Sequence, residues 1–175
     1  ILERPAKARA ILNGAAFAIH SRLHAARPDV MAAAHSHSMY GKAFSMLGRL
    51  IEPLSQDAAA FYQDHALFER FTGVVVELEE ANMLAEALGQ KHAAILQNHG
   101  ILTVGATVDA CVWRYLAFEN ACQTQMIAMS AGQPIPMSHD VAVHTQQQVG
   151  SQQAMHFSFQ PYWDWITAEE PDLFD

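Results

Sequence analysis

Three histidines carry the residue types and spacing for metal chemistry. His35 and His37 flank a serine in Ala34-His35-Ser36-His37-Ser38, and His99 stands in Asn98-His99-Gly100. Side chains alternate along an extended chain, so His35 and His37 face one side with Ser36 turned away, and two imidazoles can hold one ion. The small neighbours allow close backbone approach. Three imidazoles that leave a coordination position open make a catalytic rather than a structural metal site. The chain has ten histidines, and these three also read as core or surface histidines hydrogen-bonded to main chain.

Both motifs end apolar runs, which must position them. Val30 to Ala34 reads as a buried strand ending at His35. His92 to Gln97 reads as a second, and Ile101 to Gly105 as a third paired close by. Val74 to Val76 is β-branched and strand-like. Helices are expected from Ala6 to Arg27, stopped by Pro28, and from Met39 to Leu47 with Gly48 as cap. Another runs from Glu79 to Leu88, with acids in its first turn. A long helix capped by Thr107 or Asp109 runs to about Ala131, with Gly132 after it. Ser138 opens a Gln-rich helical stretch, and Phe157 to Ile166 forms an aromatic tail. Residues 49–73 have no clean period and read as an irregular, functional connection.

Composition narrows the partners. A chain of 175 residues suits one domain over 1–175, and 51% apolar with 16% charged residues is the balance of a folded protein. The net charge of −8, with no Lys/Arg cluster, excludes a nucleic-acid partner. No apolar stretch is long enough for a membrane span, and no signal-peptide pattern opens the chain. Cys111 and Cys122 fall in one helical pattern, roughly 16 Å apart at 1.5 Å per residue, too far for a disulfide. Two free thiols place the protein in the cytoplasm. The first residue is not Met, and the chain is expected to lack its N-terminal part.

His35-Ser36-His37-Ser38 with Tyr40-Gly41, then the run from Leu96 through Asn98-His99-Gly100 to Gly105, resembles the class II aldolase/adducin family. Ile19-His20, the stretch Ala26 to Val30, and Glu119 with Gln123 support the match over essentially the whole chain. The resemblance implies an α/β three-layer α/β/α sandwich with a mainly antiparallel central sheet, assembled as a homotetramer. It makes His35, His37 and His99 ligands of a divalent metal, Zn2+ first, with Mn2+, Co2+ or Fe2+ as alternatives. It implies a lyase acting on a small hydroxy-carbonyl substrate, by retro-aldol cleavage or decarboxylation through enolate chemistry.

The pattern departs from the family in two places; in the first, Ala16 stands where the sugar-phosphate aldolases carry an acid/base glutamate. The upstream segment that holds the phosphate in those enzymes has no counterpart. The proton must then travel through Asp57, His65 or Tyr40, with Tyr62 and Asp64 as further candidates. Asp57 and Asp64 also read as caps or turn residues. His20 and His24 have metal-compatible i,i+4 spacing, but the resemblance places only His20 near the site. Glu119 either pairs with Arg114 or Arg22 or accepts hydrogen bonds behind the ligands. Cys111 and Cys122 read as packing residues, and Tyr162 or Trp163 covers the core or reaches a neighbouring subunit. The alternative function is a non-catalytic, adducin-like structural or interaction domain, favoured by Ala16; a three-histidine hydrolase ranks last.

Overall fold

A four-stranded sheet forms the middle layer, and the histidines emerge at one end of it. The computed structural model describes residues 13–70, 73 and 78–174. In chain order the elements are α1 (Gly14–Ala26), β1 (Ala32–Ser36), α2 (Met39–Ser45), α3 (Gln56–Ala59), β2 (His65–Phe68) and α4 (Leu78–Leu88). They continue with β3 (Ala93–Leu96), β4 (Gly100–Gly105), α5 (Val108–Ala131), α6 (His139–Val149) and α7 (Gln152–Glu169), and a 3-10 turn at Pro171–Phe174. The expected strand Val74–Val76 and residues 6–12 of the expected first helix lie outside the described residues.

The strand order is β1-β4-β3-β2. β4 pairs antiparallel with both β1 and β3, and β2 joins β3 in parallel. The sheet is therefore mixed and mainly antiparallel. Period-two alternation sends Ala94, Leu96, Leu102 and Val104 to one face, under α1 and α4. Ala93, Ile95 and Ile101 go to the other, where Phe44, Phe61, Phe118 and Met155 cover them. Helices on both faces complete an α/β/α three-layer sandwich. Among the described residues, no helix is long and apolar enough to cross a membrane.

Local chemistry accounts for most element ends. The side chain of Asn13 accepts from the N–H groups of Ala15 and Ala16 at the start of α1. Thr107 caps α5, and Ser138 and Ser151 cap α6 and α7 in the same way. Gly48 and Gly89 turn the chain with positive φ after α2 and α4. Arg27 ends the α1 turn buried, its guanidinium donating to the Gly89 carbonyl at 2.6 Å, the Lys91 carbonyl at 3.1 Å and the Asp29 carboxylate. These bonds tie the approach to β1 onto the approach to β3, so the strands leading to His35 and to His99 start from one anchor.

Two expectations are corrected, and the aromatic tail gains its structure. β1 begins and ends later than the apolar run Val30–Ala34, because Val30 and Met31 are spent on a turn to Arg27 and a bond to the Gly105 carbonyl. His35 thus lies inside the strand. The irregular segment 49–73 contains α3 and edge strand β2; both are four residues long, too short for a readable period. The aromatic tail is one helix, α7, with Pro161 inside it.

Candidate metal centre

Pairing of β1 with β4 sets His35 opposite Leu102 and Ser36 opposite Ile101. The Nδ1–H of His35 donates to the Ile101 carbonyl at 2.9 Å. A carbonyl only accepts, so this bond selects the tautomer and leaves Nε2 with a free lone pair. His37 follows just past the strand and is exposed. His99 sits in the tight turn between β3 and β4, where Asn98 takes φ 60°, a conformation asparagine tolerates. The His99 N–H closes the turn on the Leu96 carbonyl at 2.9 Å.

The three rings meet. Their centroids lie 5.4 Å apart for His35–His37, 4.8 Å for His35–His99 and 4.7 Å for His37–His99. One ring nitrogen from each lies within 4.8 Å of the others. Burial holds the pKa of His35 down to about 4, with repulsion from His99 and His37 adding to it against the bond to Ile101. Burial likewise lowers His99, and His37 pushes the same way. These two rings are neutral at pH 7, which is the state that ligates. Three imidazoles converging at one end of the sheet suit a divalent first-row ion, and the donor set fits.

Glu80 is a participant that sequence reading assigned only to a helix dipole. It is buried in the first turn of α4, within the stripe Glu80, Ala81, Leu84, Ala85 and Leu88, and its charge acts on His99. The signal was present: an acid occupied a position of the apolar face.

Over the rings opens a cavity of about 450 Å³, lined by Asn13, Ala15, Ala16 and Ile19 from the start of α1 together with His35, Ser36, His37 and His99. Ala16 therefore lines the same cavity as the three histidines.

The proposed proton carriers are elsewhere. Asp57 lines a second cavity of about 540 Å³ with Trp113, Glu119, Asn120, Gln123 and Tyr162. His65 lies in β2, 4% exposed. Its Nδ1–H donates to the Phe61 carbonyl at 2.6 Å and its Nε2 accepts from the Ile51 N–H at 3.1 Å. Burial holds its pKa down to about 4. Tyr40 packs at the start of α2, against the core cluster of Phe44 and Ile101. Tyr62 bonds to His139 at 3.0 Å, and Asp64 accepts from His92 at 2.9 Å. None of these five is among the described residues lining the histidine cavity.

Other expectations resolve as follows. His20 lies close enough for its charge to act on His35, while the His24 Nδ1–H donates to the Val30 carbonyl at 3.0 Å. Arg114 is buried and donates to the Val104 carbonyl at 2.8 Å. Glu119 accepts instead from Ser38, Tyr40 and Gly41. Cys111 and Cys122 are free and buried, and burial pushes the Cys122 thiol up to about 12, an inert packing group.

The chain matches the family model of the class II aldolase and adducin N-terminal domain over residues 4–126. The chain belongs to the class II aldolase and adducin family. This family member is 41% identical to decarboxylase NovR of Streptomyces niveus over 162 residues, which are 93% of this chain and 60% of that protein. It is 41% identical over 162 residues to a protein of Streptomyces roseochromogenus subsp. oscitans, covering 93% of this chain and 58% of the other. That relative is named 4-hydroxy-3-prenylphenylpyruvate oxygenase/4-hydroxy-3-prenylbenzoate synthase. A solved structure described as L-fuculose 1-phosphate aldolase from Glaciozyma antarctica PI12 superposes with a TM-score of 0.89 at 43% identity, over 98% of this chain and 65% of that one. The class II aldolase-family chain thus spans about three fifths of the length of these relatives.

The close approach of β1 and β4 beside the histidines gives a local prediction. A Cβ added at Gly100 would lie 2.6 Å from the Ser36 carbonyl oxygen, so Gly100→Ala must push β4 away from the ligand pair. The expected result is a loss of about 2 kcal/mol of stability with metal affinity lowered about tenfold. Urea unfolding and equilibrium dialysis read the two effects, and unchanged affinity would show that His99 does not depend on this spacing.

Proposed function

We propose that the domain is the metal-binding part of a carbon–carbon lyase acting on a small hydroxy-carbonyl acid, with decarboxylation as its reaction. The observation that carries this reading is Ala16 in the wall of a cavity built on three converging histidines. A divalent ion held by His35, His37 and His99, zinc first among Mn2+, Co2+ and Fe2+, supplies Lewis-acid stabilisation of charge developing on a carbonyl oxygen.

The two lyase reactions differ in what they ask of the protein. Retro-aldol cleavage needs a group to take the hydroxyl proton as the carbon–carbon bond breaks. Ala16 cannot do so, and Asp57, His65 and Tyr40 do not line the cavity. Decarboxylation starts from a carboxylate already ionised at neutral pH. The bond from the α-carbon to that carboxylate breaks, its electron pair forms the enolate double bond while the 3-oxo π pair moves onto oxygen, carbon dioxide leaves, and water returns a proton to the α-carbon. No protein base is required. The name of the NovR relative supports this branch.

Ala15, Ala16 and Ile19 present an apolar wall, and no Lys or Arg lines the cavity among the described residues. This supports a substrate with an apolar body rather than a phosphate group. Free, buried cysteines support a reducing, cytoplasmic setting. Phe157, Trp165 and Phe174, at 78%, 64% and 68% exposure in the single chain, support assembly with further copies as a homotetramer.

The test is turnover of the zinc-, manganese- or cobalt-loaded protein on a panel of 2-hydroxy-3-oxo acids and aldols. Carbon dioxide released only with metal present is the expected result. Aldehyde without carbon dioxide would turn the assignment to retro-aldol cleavage. Bound metal with no turnover would favour the structural, adducin-like alternative, which Ala16 also supports.

A further inference from the structure

The face of β1 opposite the imidazoles is gripped by one helix. Ser36, the last residue of β1, alternates with His35, so its side chain leaves the strand on the other side, and Ser38 follows at the N-cap of α2. Both find partners on α5. The Ser36 hydroxyl hydrogen-bonds to the Tyr115 hydroxyl. The Ser38 hydroxyl donates to Glu119 Oε2 at 2.6 Å. Tyr115 and Glu119 are one helical turn apart and share a face.

Glu119 holds more than a serine. Its Oε1 accepts from the Tyr40 N–H at 2.8 Å and its Oε2 from the Gly41 N–H at 2.6 Å. Those N–H groups belong to the first turn of α2, which has no partners of its own there. Ser38 occupies the N-cap of α2 but makes no side-chain cap bond, since its hydroxyl is given to Glu119. One carboxylate thus takes three donors from residues 38–41, close to the four acceptor positions it has.

The packing admits little movement. A Cβ on Gly41 would lie 2.8 Å from Glu119 Oε2 and 2.8 Å from the Ile101 side chain. Ile101 is also the residue whose carbonyl holds the His35 ring. The chain from His35 to Gly41 is therefore fixed from β4 on one side and from α5 on the other. His37, exposed and past the last strand pair, has no bond of its own among those described to set its place.

We propose that Tyr115 and Glu119 are positioning residues for the metal centre: by holding Ser36, Ser38 and the start of α2, they set where His37 stands relative to His35 and His99. This rests on the metal-site reading above. The residues act through main chain and serines, and they do not line the histidine cavity.

The experiment compares the parent chain with Glu119→Ala, Glu119→Gln, Tyr115→Phe and Met155→Ala. Met155 is buried in the same core cluster and touches none of these bonds, so it controls for stability lost without loss of the clamp. Cobalt(II) and zinc affinity, the cobalt d–d absorption bands, and thermal unfolding in chelator are measured for each.

Glu119→Ala is expected to weaken cobalt binding at least tenfold and alter the d–d bands, and Tyr115→Phe to weaken it about threefold. Glu119→Gln puts an amide donor against donors and should fail to restore the parent spectrum, while Met155→Ala unfolds earlier with affinity within twofold of the parent. Unchanged affinity and spectra in both Glu119→Gln and Tyr115→Phe, with only unfolding temperature lowered, would overturn the proposal. These milder variants decide the matter if Glu119→Ala does not fold. A second readout needs no metal: the His37 imidazole 15N resonances of the apo protein should move in Glu119→Gln and Tyr115→Phe and stay in Met155→Ala. If the parent binds no ion, the metal reading falls, and unmoved His37 resonances would still overturn the clamp.

Discussion

Replacing His37 by alanine should abolish binding of a divalent ion and leave the fold standing. The parent is expected to hold about one ion per chain, and His37→Ala to bind at least ~100-fold more weakly, because two imidazoles cannot complete the three-ligand set of an open catalytic site. The fold survives because His37 is exposed and lies past the end of β1, where a substitution changes stability by only about 0.5 kcal/mol. His35→Ala would be a poorer probe, since it also removes the donor to the Ile101 carbonyl. Metal content after dialysis, with thermal unfolding in chelator, separates lost binding from lost structure. Equal metal in parent and variant would remove His37 from the site.

Acid should destabilise the apo protein through His65, above the range where carboxylates dominate. Burial holds the folded pKa of this ring down to about 4, whereas an unfolded histidine titrates near 6.5. Between those values the unfolded chain binds the proton and the folded chain does not, so stability rises with pH there. The contribution is fully present above about pH 6.5 and is lost as pH falls toward about 4. Taking the parent from pH 7 to 4.5 should lose about 2.5 kcal/mol from this group. His35, held down to about 4 by its own burial, adds in the same direction.

A His65→Leu variant isolates the effect. It should be less stable at pH 7 by roughly 1–3 kcal/mol, because the Ile51 N–H and the Phe61 carbonyl lose their partner. Its loss between pH 7 and 4.5 should be smaller than the parent's by about 2.5 kcal/mol. Urea unfolding in chelator at several pH values measures both slopes, and parallel slopes would mean that His65 is not the titrating group.

The same buried bonds answer how the proton-carrier candidates read in sequence. Tyr40 is attractive because it follows close behind the histidine pair, and Asp57 and His65 because a polar, aromatic stretch without a period looks like an active-site loop. In the fold that stretch is a one-turn helix and an edge strand. His65 is a core histidine whose two nitrogens both serve main chain. Four-residue elements leave no period to read, and nothing local reveals that a ring nitrogen will meet Ile51.

What the amino-acid sequence determined by itself is the local chemistry. The alternation of an extended chain commits His35 and His37 to one side and Ser36 to the other. Thr107 and Gly132 bound α5 where caps require them, and the small-residue context of Asn98-His99-Gly100 marks a turn that backbones can approach. What only the tertiary structure decided is convergence. β3 and β4 are buried throughout, so their apolar runs have no alternation that could announce a register. It is the pairing of β1 with β4 that brings His99 to the ligand pair. Long-range packing likewise turned Ala16 into the wall above the histidines, buried Glu80 where its charge acts on His99, and aimed Glu119 at three donors around α2 rather than at an arginine. Ligand types are a property of short stretches; their meeting depends on faces buried against partners far along the chain.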